Sequence, residues 1–163
     1  MIQMQIGGLG FDPKNLSPMV LLKDPEEMNF LPIWIGIFEA AAIAMELQDV
    51  RPPRPMTHDL LSETIKIFGA KVERVIISDV KEGTFYAVIE LKDKEGKKIN
   101  LDARPSDAIA LAVRTKSPIH VAEVVMMQAK LVNAEKDEEE TKKFREFLQD
   151  IKPEDFTKYY KKD

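Results

Sequence analysis

The sequence predicts an α+β fold, a single domain in which helices pack on a mostly antiparallel sheet, followed by a C-terminal helical appendage. Three observations carry that prediction. Lys71 to Ala103 alternates as strands broken twice by glycine-containing turns, Phe38 to Gln48 and Thr57 to Phe68 have helical spacing, and from about Leu131 the composition turns strongly charged. A chain of 163 residues suffices for one domain with a proper core and is short for two. The expected division is residues 1–130 as the domain and 131–163 as the appendage.

Met1 to Gln5 reads as a strand closed by a Gly-rich turn, and Met19 to Lys23 and Asn29 to Ile35 as strands around the Asp24-Pro25-Glu26 turn. Trp34 lies in the last of these among apolar neighbours, which favours core packing over stacking on a base. Phe38 to Gln48 is Ala-rich, so that helix can lie close against its neighbours, with Glu39 in its first turn. Arg51-Pro-Pro-Arg-Pro55 is an extended connector, because each proline fixes its own φ and restricts the residue before it. Thr57 is placed to cap the next helix. Leu60, Leu61, Thr64, Ile65 and Phe68 form the stripe expected to face inward, and Gly69 stands where a C-terminal cap belongs.

Turns at Lys81-Glu82-Gly83 and Asp93-Lys94-Glu95-Gly96 divide Lys71 to Ala103 into a three-stranded meander. In its middle strand Phe85, Ala87, Ile89 and Leu91 face one way, and Tyr86, Val88 and Glu90 the other. Pro105 opens a helix to Lys116, and Pro118 leads into a short apolar strand through Val125. In the charged tail, Phe144, Phe147, Leu148 and Ile151 are spaced as one helix face, and Phe156, Tyr159 and Tyr160 follow among lysines.

With 44% hydrophobic and 32% charged residues, no apolar run of membrane-spanning length and no signal-peptide pattern at the start, a soluble cytoplasmic protein with no membrane partner is expected. The absence of cysteine excludes thiolate chemistry, cysteine-ligated zinc and iron–sulfur clusters. Two histidines are too few for an all-histidine metal site in one subunit, so any metal would rest on carboxylates and be magnesium or manganese. A net charge of -4 argues against nucleic-acid binding by the whole surface and leaves room for a local basic patch.

The polar residues of Leu101 to Arg114 gather where a strand turns into a nearly all-apolar helix. Asp102 and Arg104, two apart, share one strand face, and the first helical turn carries Ser106 and Asp107. One reading is structural: Ser106 or Asp107 caps the helix and Asp102 pairs with Arg104. The other is a site in which Arg104, Ser106, the helix-start amides and the carboxylates hold an anion or a metal-bound phosphate.

Leu31-Pro-Ile-Trp-Ile-Gly36 with Glu39-Ala40, Arg54-Pro-Met-Thr-His-Asp-Leu-Leu61, Asp79 with Gly83-Thr-Phe-Tyr-Ala87, and Leu101 to Arg114 together resemble the bifunctional nuclease family over most of residues 1 to about 130. The resemblance implies a small α+β domain that self-associates, with a homodimer as the expected assembly, and activity on both DNA and RNA. The charged tail departs from members with other C-terminal additions.

Phosphodiester hydrolysis needs a nucleophilic water, stabilisation of charge on phosphorus and help for the leaving oxygen, commonly from divalent metals on carboxylates. Glu39, Asp59, Asp79, Asp102 and Asp107 each stand at an element end, and Glu39, Asp102 and Asp107 are the candidate metal ligands. His58 beside Asp59 at a helix start is the candidate proton shuttle; His120, in an apolar strand, is expected to be structural. Arg51 and Arg54, on a stiff connector, are candidate phosphate clamps. The expectation is a nuclease in which Arg104 holds phosphate, Asp102 and Asp107 hold metal or water, and His58 with Asp59 moves a proton, with no organic cofactor. The alternative is a non-enzymatic binding or regulatory module whose corner recognises an anionic ligand or a partner.

Overall fold

The computed structural model describes residues 1–134 apart from 13 and 15. The strands are β1 (Ile2–Phe11), β2 (Pro18–Lys23), β3 (Phe30–Trp34), β4 (Lys71–Lys81), β5 (Thr84–Lys92), β6 (Lys98–Ala103) and β7 (Ile119–Val121). The helices are α1 (Ile37–Leu47), α2 (Thr57–Ile67), α3 (Pro105–Thr115) and α4 (Glu123–Ala134). The strands join in one seven-stranded sheet of order β3-β2-β1-β7-β4-β5-β6, antiparallel everywhere except between β4 and β7. This is the expected α+β architecture.

The crossover through α3 takes the chain from the sheet edge at β6 back to its middle at β7, and so lays α3 across the core. Ala108 to Ala112 are all buried there, where they meet Val75 and Ile77 of β4 and Ala87 and Ile89 of β5 in one apolar cluster. Alternation turns Ile76, Val88 and Glu90 to the other face, where each stays only half-buried. Small residues at Ala40 to Ala44 likewise let α1 lie close to its neighbours.

Five local expectations change. The glycines after Gln5 do not end β1, which continues to Phe11 with an irregularity between Ile6 and Gly8; a Cβ on Gly7 would come within 3.1 Å of the Lys23 side chain, so the glycine serves close strand approach. Trp34, at the end of β3, is 46% exposed. The cap of α2 is Met56, whose N–H donates to Asp59 Oδ2 at 2.9 Å, and Thr57 is the first helical residue. The inward face of α2 is His58, Leu61 and Ile65, while Leu60 (61%) and Phe68 (79%) are exposed, because α3 lies under the opposite flank. Finally, β7 ends at Val121, since the Ala122 carbonyl accepts from the Val125 and Met126 amides and opens α4.

Gly69 does stand past the end of α2, at φ +74. The Pro105 start of α3 is also as expected, with Arg104 as its N-cap. α4 crosses the expected boundary at residue 130; the rest of the expected appendage, with Phe144, Phe147, Leu148, Ile151, Phe156, Tyr159 and Tyr160, lies outside the described residues.

Candidate functional site

The first turns of α1, α2 and α3 each contribute a side chain to one polar cluster. Arg104 Nη2 donates to Glu39 Oε1 at 2.8 Å and Arg104 Nε to Asp107 Oδ2 at 2.8 Å. The other oxygen of Asp107 lies 2.9 Å from His58 Nε2. Glu39, Arg104, Asp107 and His58 therefore form a continuous chain of charge-assisted contacts. Gly36 makes room for it, because a Cβ there would lie 2.2 Å from Glu39 Oε2.

Burial pushes the Asp107 carboxyl up, but the hydrogen bonds from Arg104 and His58 outweigh it and hold it below the usual carboxylate range. Asp107 is thus an ionised acceptor at neutral pH, which assigns the hydrogen to His58 Nε2. The second ring nitrogen is then the free one. No described residue bonds His58 Nδ1, in a side chain that is 10% exposed. Arg104 has a 66% exposed side chain and reaches solvent beside it.

Asp59 turns away from His58 to a second cation. Arg114 Nε donates to Asp59 Oδ1 at 2.6 Å, and its Nη1 and Nη2 donate to the carbonyls of Ala110 at 2.9 Å and Ala42 at 3.0 Å. A side chain only 7% exposed thereby ties α1, α2 and α3 together behind the cluster. Burial again raises the Asp59 carboxyl, and the Met56 amide and Arg114 outweigh it, leaving it low.

Both depressed carboxyls fix the sign of an acid effect. Each binds protons less readily folded than unfolded, so its contribution to stability is complete above the unfolded value of about 3.9 and is lost as pH falls through that value to the folded one. Stability measured in urea should therefore fall below about pH 4, and Asp107→Asn should flatten that limb; an unchanged limb would show that Asp107 does not carry it.

The remaining candidates are placed elsewhere. Asp102 does not pair with Arg104. It faces Val88, which faces Ile76, which faces His120, so alternation puts Asp102 on the sheet face away from α3. Its side chain is exposed and makes no ion pair among the described residues. Ser106 is buried in the first turn of α3, and neither it nor Asp107 caps the helix. Asp79 pairs with Lys81 at 2.9 Å, and Arg51 with Glu46 at 3.0 Å and Asp49 at 2.8 Å. Arg54 is exposed and makes no side-chain hydrogen bond or ion pair among the described residues. His120 is half-buried, its titration held low first by burial and then by the Arg74 charge.

Among the described residues no three His, Asp or Glu side chains come together as a metal site. Of the candidate ligands, Glu39 and Asp107 have the Arg104 guanidinium between them, and Asp102 is on the other sheet face. These donors do not fit a metal centre of their own.

Arg114 has no role in the sequence reading. The signal for it was present: seven residues after Asp107 it falls on the same helix face, the second charge on a flank otherwise occupied by small apolar residues.

Residues 20–134 match the family model of the bifunctional nuclease domain. An uncharacterized protein of Mycobacterium tuberculosis is 42% identical over 163 residues, covering 94% of this chain and 97% of its own. Bifunctional nuclease 1 of Oryza sativa is 32% identical over 93 residues, which cover 56% of this chain and 28% of the plant protein. Bifunctional nuclease 2 of Arabidopsis thaliana is 29% identical over 108 residues, 64% of this chain and 32% of its own. Among the described residues no helix is long and apolar enough to cross a membrane.

Proposed function

The chain belongs to the bifunctional nuclease domain family, and from that premise we propose that it hydrolyses phosphodiester bonds of RNA and DNA at the cluster formed by His58, Asp107, Arg104 and Glu39. The observation that carries this reading is the contact between Asp107 and His58 Nε2 at 2.9 Å, which leaves Nδ1 as the open proton acceptor. In the proposed reaction His58 Nδ1 takes the proton of the attacking water or hydroxyl as its oxygen bonds to phosphorus, and the departing oxygen leaves with a proton from solvent or from the imidazolium just formed. Asp107 holds the ring in one tautomer and stabilises its charged form, the same division of labour as in other carboxylate–imidazole pairs. Arg104 presents its outward N–H groups to the phosphate, and Glu39 holds the guanidinium in place. The expected magnesium or manganese is proposed to arrive with the substrate phosphate, and no step is assigned to it.

Protein purified free of contaminating nuclease is assayed on labelled RNA and on single- and double-stranded DNA, with magnesium, manganese or a chelator. Cleavage of either nucleic acid is the expected result, and none with any cation would exclude the proposal for those substrates. One observation favours the second reading, a binding or regulatory module: Glu39, Arg104, Asp107 and His58 already satisfy one another. In that case His58→Gln changes ligand binding or assembly while no cleavage is seen.

We also propose a homodimer. The support is apolar surface on the described part of the chain, with Phe38 at 80%, Leu60 at 61%, Ile67 at 73% and Phe68 at 79% exposed. Light scattering coupled to gel filtration should give twice the 18.6 kDa chain mass, and Phe68→Glu with Leu60→Glu should shift it to monomer; a monomer at every concentration of wild type would contradict this.

A further inference from the structure

Behind the start of α2 the proline-stiffened connector borders an open cavity of about 290 Å³. We propose that this cavity is a subsite for one nucleotide, holding the base against its apolar walls with the phosphate on Arg54. The inference rests on the nuclease reading for its ligand class, and on the cavity's own chemistry for the rest.

Size comes first. Ligand pockets begin near ~300 Å³, so this one admits a single small group and excludes a duplex. Pro52, Pro53 and Pro55 with Met45, Val50 and Met56 supply flat or adaptable apolar walls. The connector's prolines leave little backbone freedom to lose on binding. The polar groups are divided between interior and rim. Inside, Asp59 and Arg114 are bonded to each other, and their remaining contacts go to the Met56 amide and to the carbonyls of Ala42 and Ala110. Of the rim cations, Arg51 is held by Glu46 and Asp49 while Arg54 is uncommitted. The interior thus offers an ionic pair already spoken for, and the rim one guanidinium suited to a phosphate.

That division predicts a phosphate-dependent, base-tolerant site. None of Glu39, His58, Arg104 and Asp107 lines it; the two sites share the first turn of α2, where Asp59 lines the cavity and His58 faces Asp107.

The test is equilibrium binding, by calorimetry or ligand-detected NMR, of adenosine monophosphate, cytidine monophosphate, adenosine and inorganic phosphate. Wild type and Arg54→Gln are compared. The expected result is that both monophosphates bind wild type within about threefold of each other, because the Pro, Val and Met walls carry no side-chain hydrogen-bonding group that reads a base edge. Arg54→Gln, a surface change that leaves folding intact, should weaken them about tenfold and leave adenosine unchanged. Phosphate alone binding as tightly as the nucleotide, no nucleotide binding, or an Arg54→Gln protein that binds normally would each overturn the subsite. Nucleotide binding through Arg54 in a protein that cleaves no nucleic acid would uphold the subsite and remove the nuclease reading; cleavage without such binding would do the reverse.

Discussion

Asp107→Asn should reduce cleavage of RNA and DNA by about 10²–10⁴-fold, the range seen when an orienting carboxylate or a general base is disabled. If the amide oxygen accepts from Arg104, the NH2 donates to His58 Nε2 and moves the ring hydrogen to Nδ1, which can then no longer accept a proton. If the oxygen accepts from His58, the NH2 faces Arg104 as donor against donor. The His58 ring loses the anion that fixes its tautomer and stabilises its protonated form. Arg104 keeps Glu39 and at best exchanges a charge-assisted contact with Asp107 for a neutral one, so the phosphate contact loosens as well. The expected stability loss is much smaller, about 1–2 kcal/mol, since the Asp107 side chain is 30% exposed and water takes over part of its hydrogen bonding. Steady-state cleavage and urea unfolding on the same preparation separate the two effects. A fall in activity no larger than the unfolded fraction would remove Asp107 from the mechanism.

Arg114→Met should be the most damaging single change to the fold. Arg114 is almost fully buried and binds α2 through Asp59 and α1 through the Ala42 carbonyl. Methionine fills much of the same volume but leaves the Asp59 charge with only the Met56 amide, and the Ala42 carbonyl loses its side-chain donor. Breaking a buried pair from one side costs about 3 kcal/mol at the low end, which applies here because Asp59 is 26% exposed, and for a domain of this size lowers Tm by roughly 10 °C. Lysine keeps the charge and cannot supply three directed donors, so Arg114→Lys should recover only part of the loss. Arg114→Met with Asp59→Asn should be less than additive, because the second change removes the uncompensated charge. A Tm within 2 °C of wild type for Arg114→Met would show that the three-helix tie contributes little.

Much of this arrangement was legible in the sequence, and the rest failed for identifiable reasons. The β4–β6 meander followed from glycine turns and strict alternation, and the α3 start from proline at the first helical position. In the site, Arg104, Asp107, His58 and Glu39 could each be singled out, because each is a charged or titratable residue in or next to the first turn of a helix. Their mutual contacts could not, since Glu39 and Arg104 are 65 residues apart and only the crossover of α3 onto α1 joins them. Asp102 misled for a related reason. Residues two apart share a strand face only while both are in the strand, and the chain leaves β6 at Ala103, so Arg104 turns toward the helices while Asp102 stays with Val88. The α2 stripe was misjudged because Leu60 and Phe68 look like core by residue type; periodicity finds an apolar face but not which flank is covered.

Cleavage should run through His58 with Asp107 and should not use Asp102. The measurement that tests it most directly is cleavage of labelled RNA and single-stranded DNA by wild type, His58→Gln and Asp102→Asn, purified identically and shown to be folded by circular dichroism. His58→Gln should lose about 10²-fold or more, and Asp102→Asn should cleave at near wild-type rates. Equal activity in all three, or a loss confined to Asp102→Asn, would contradict it.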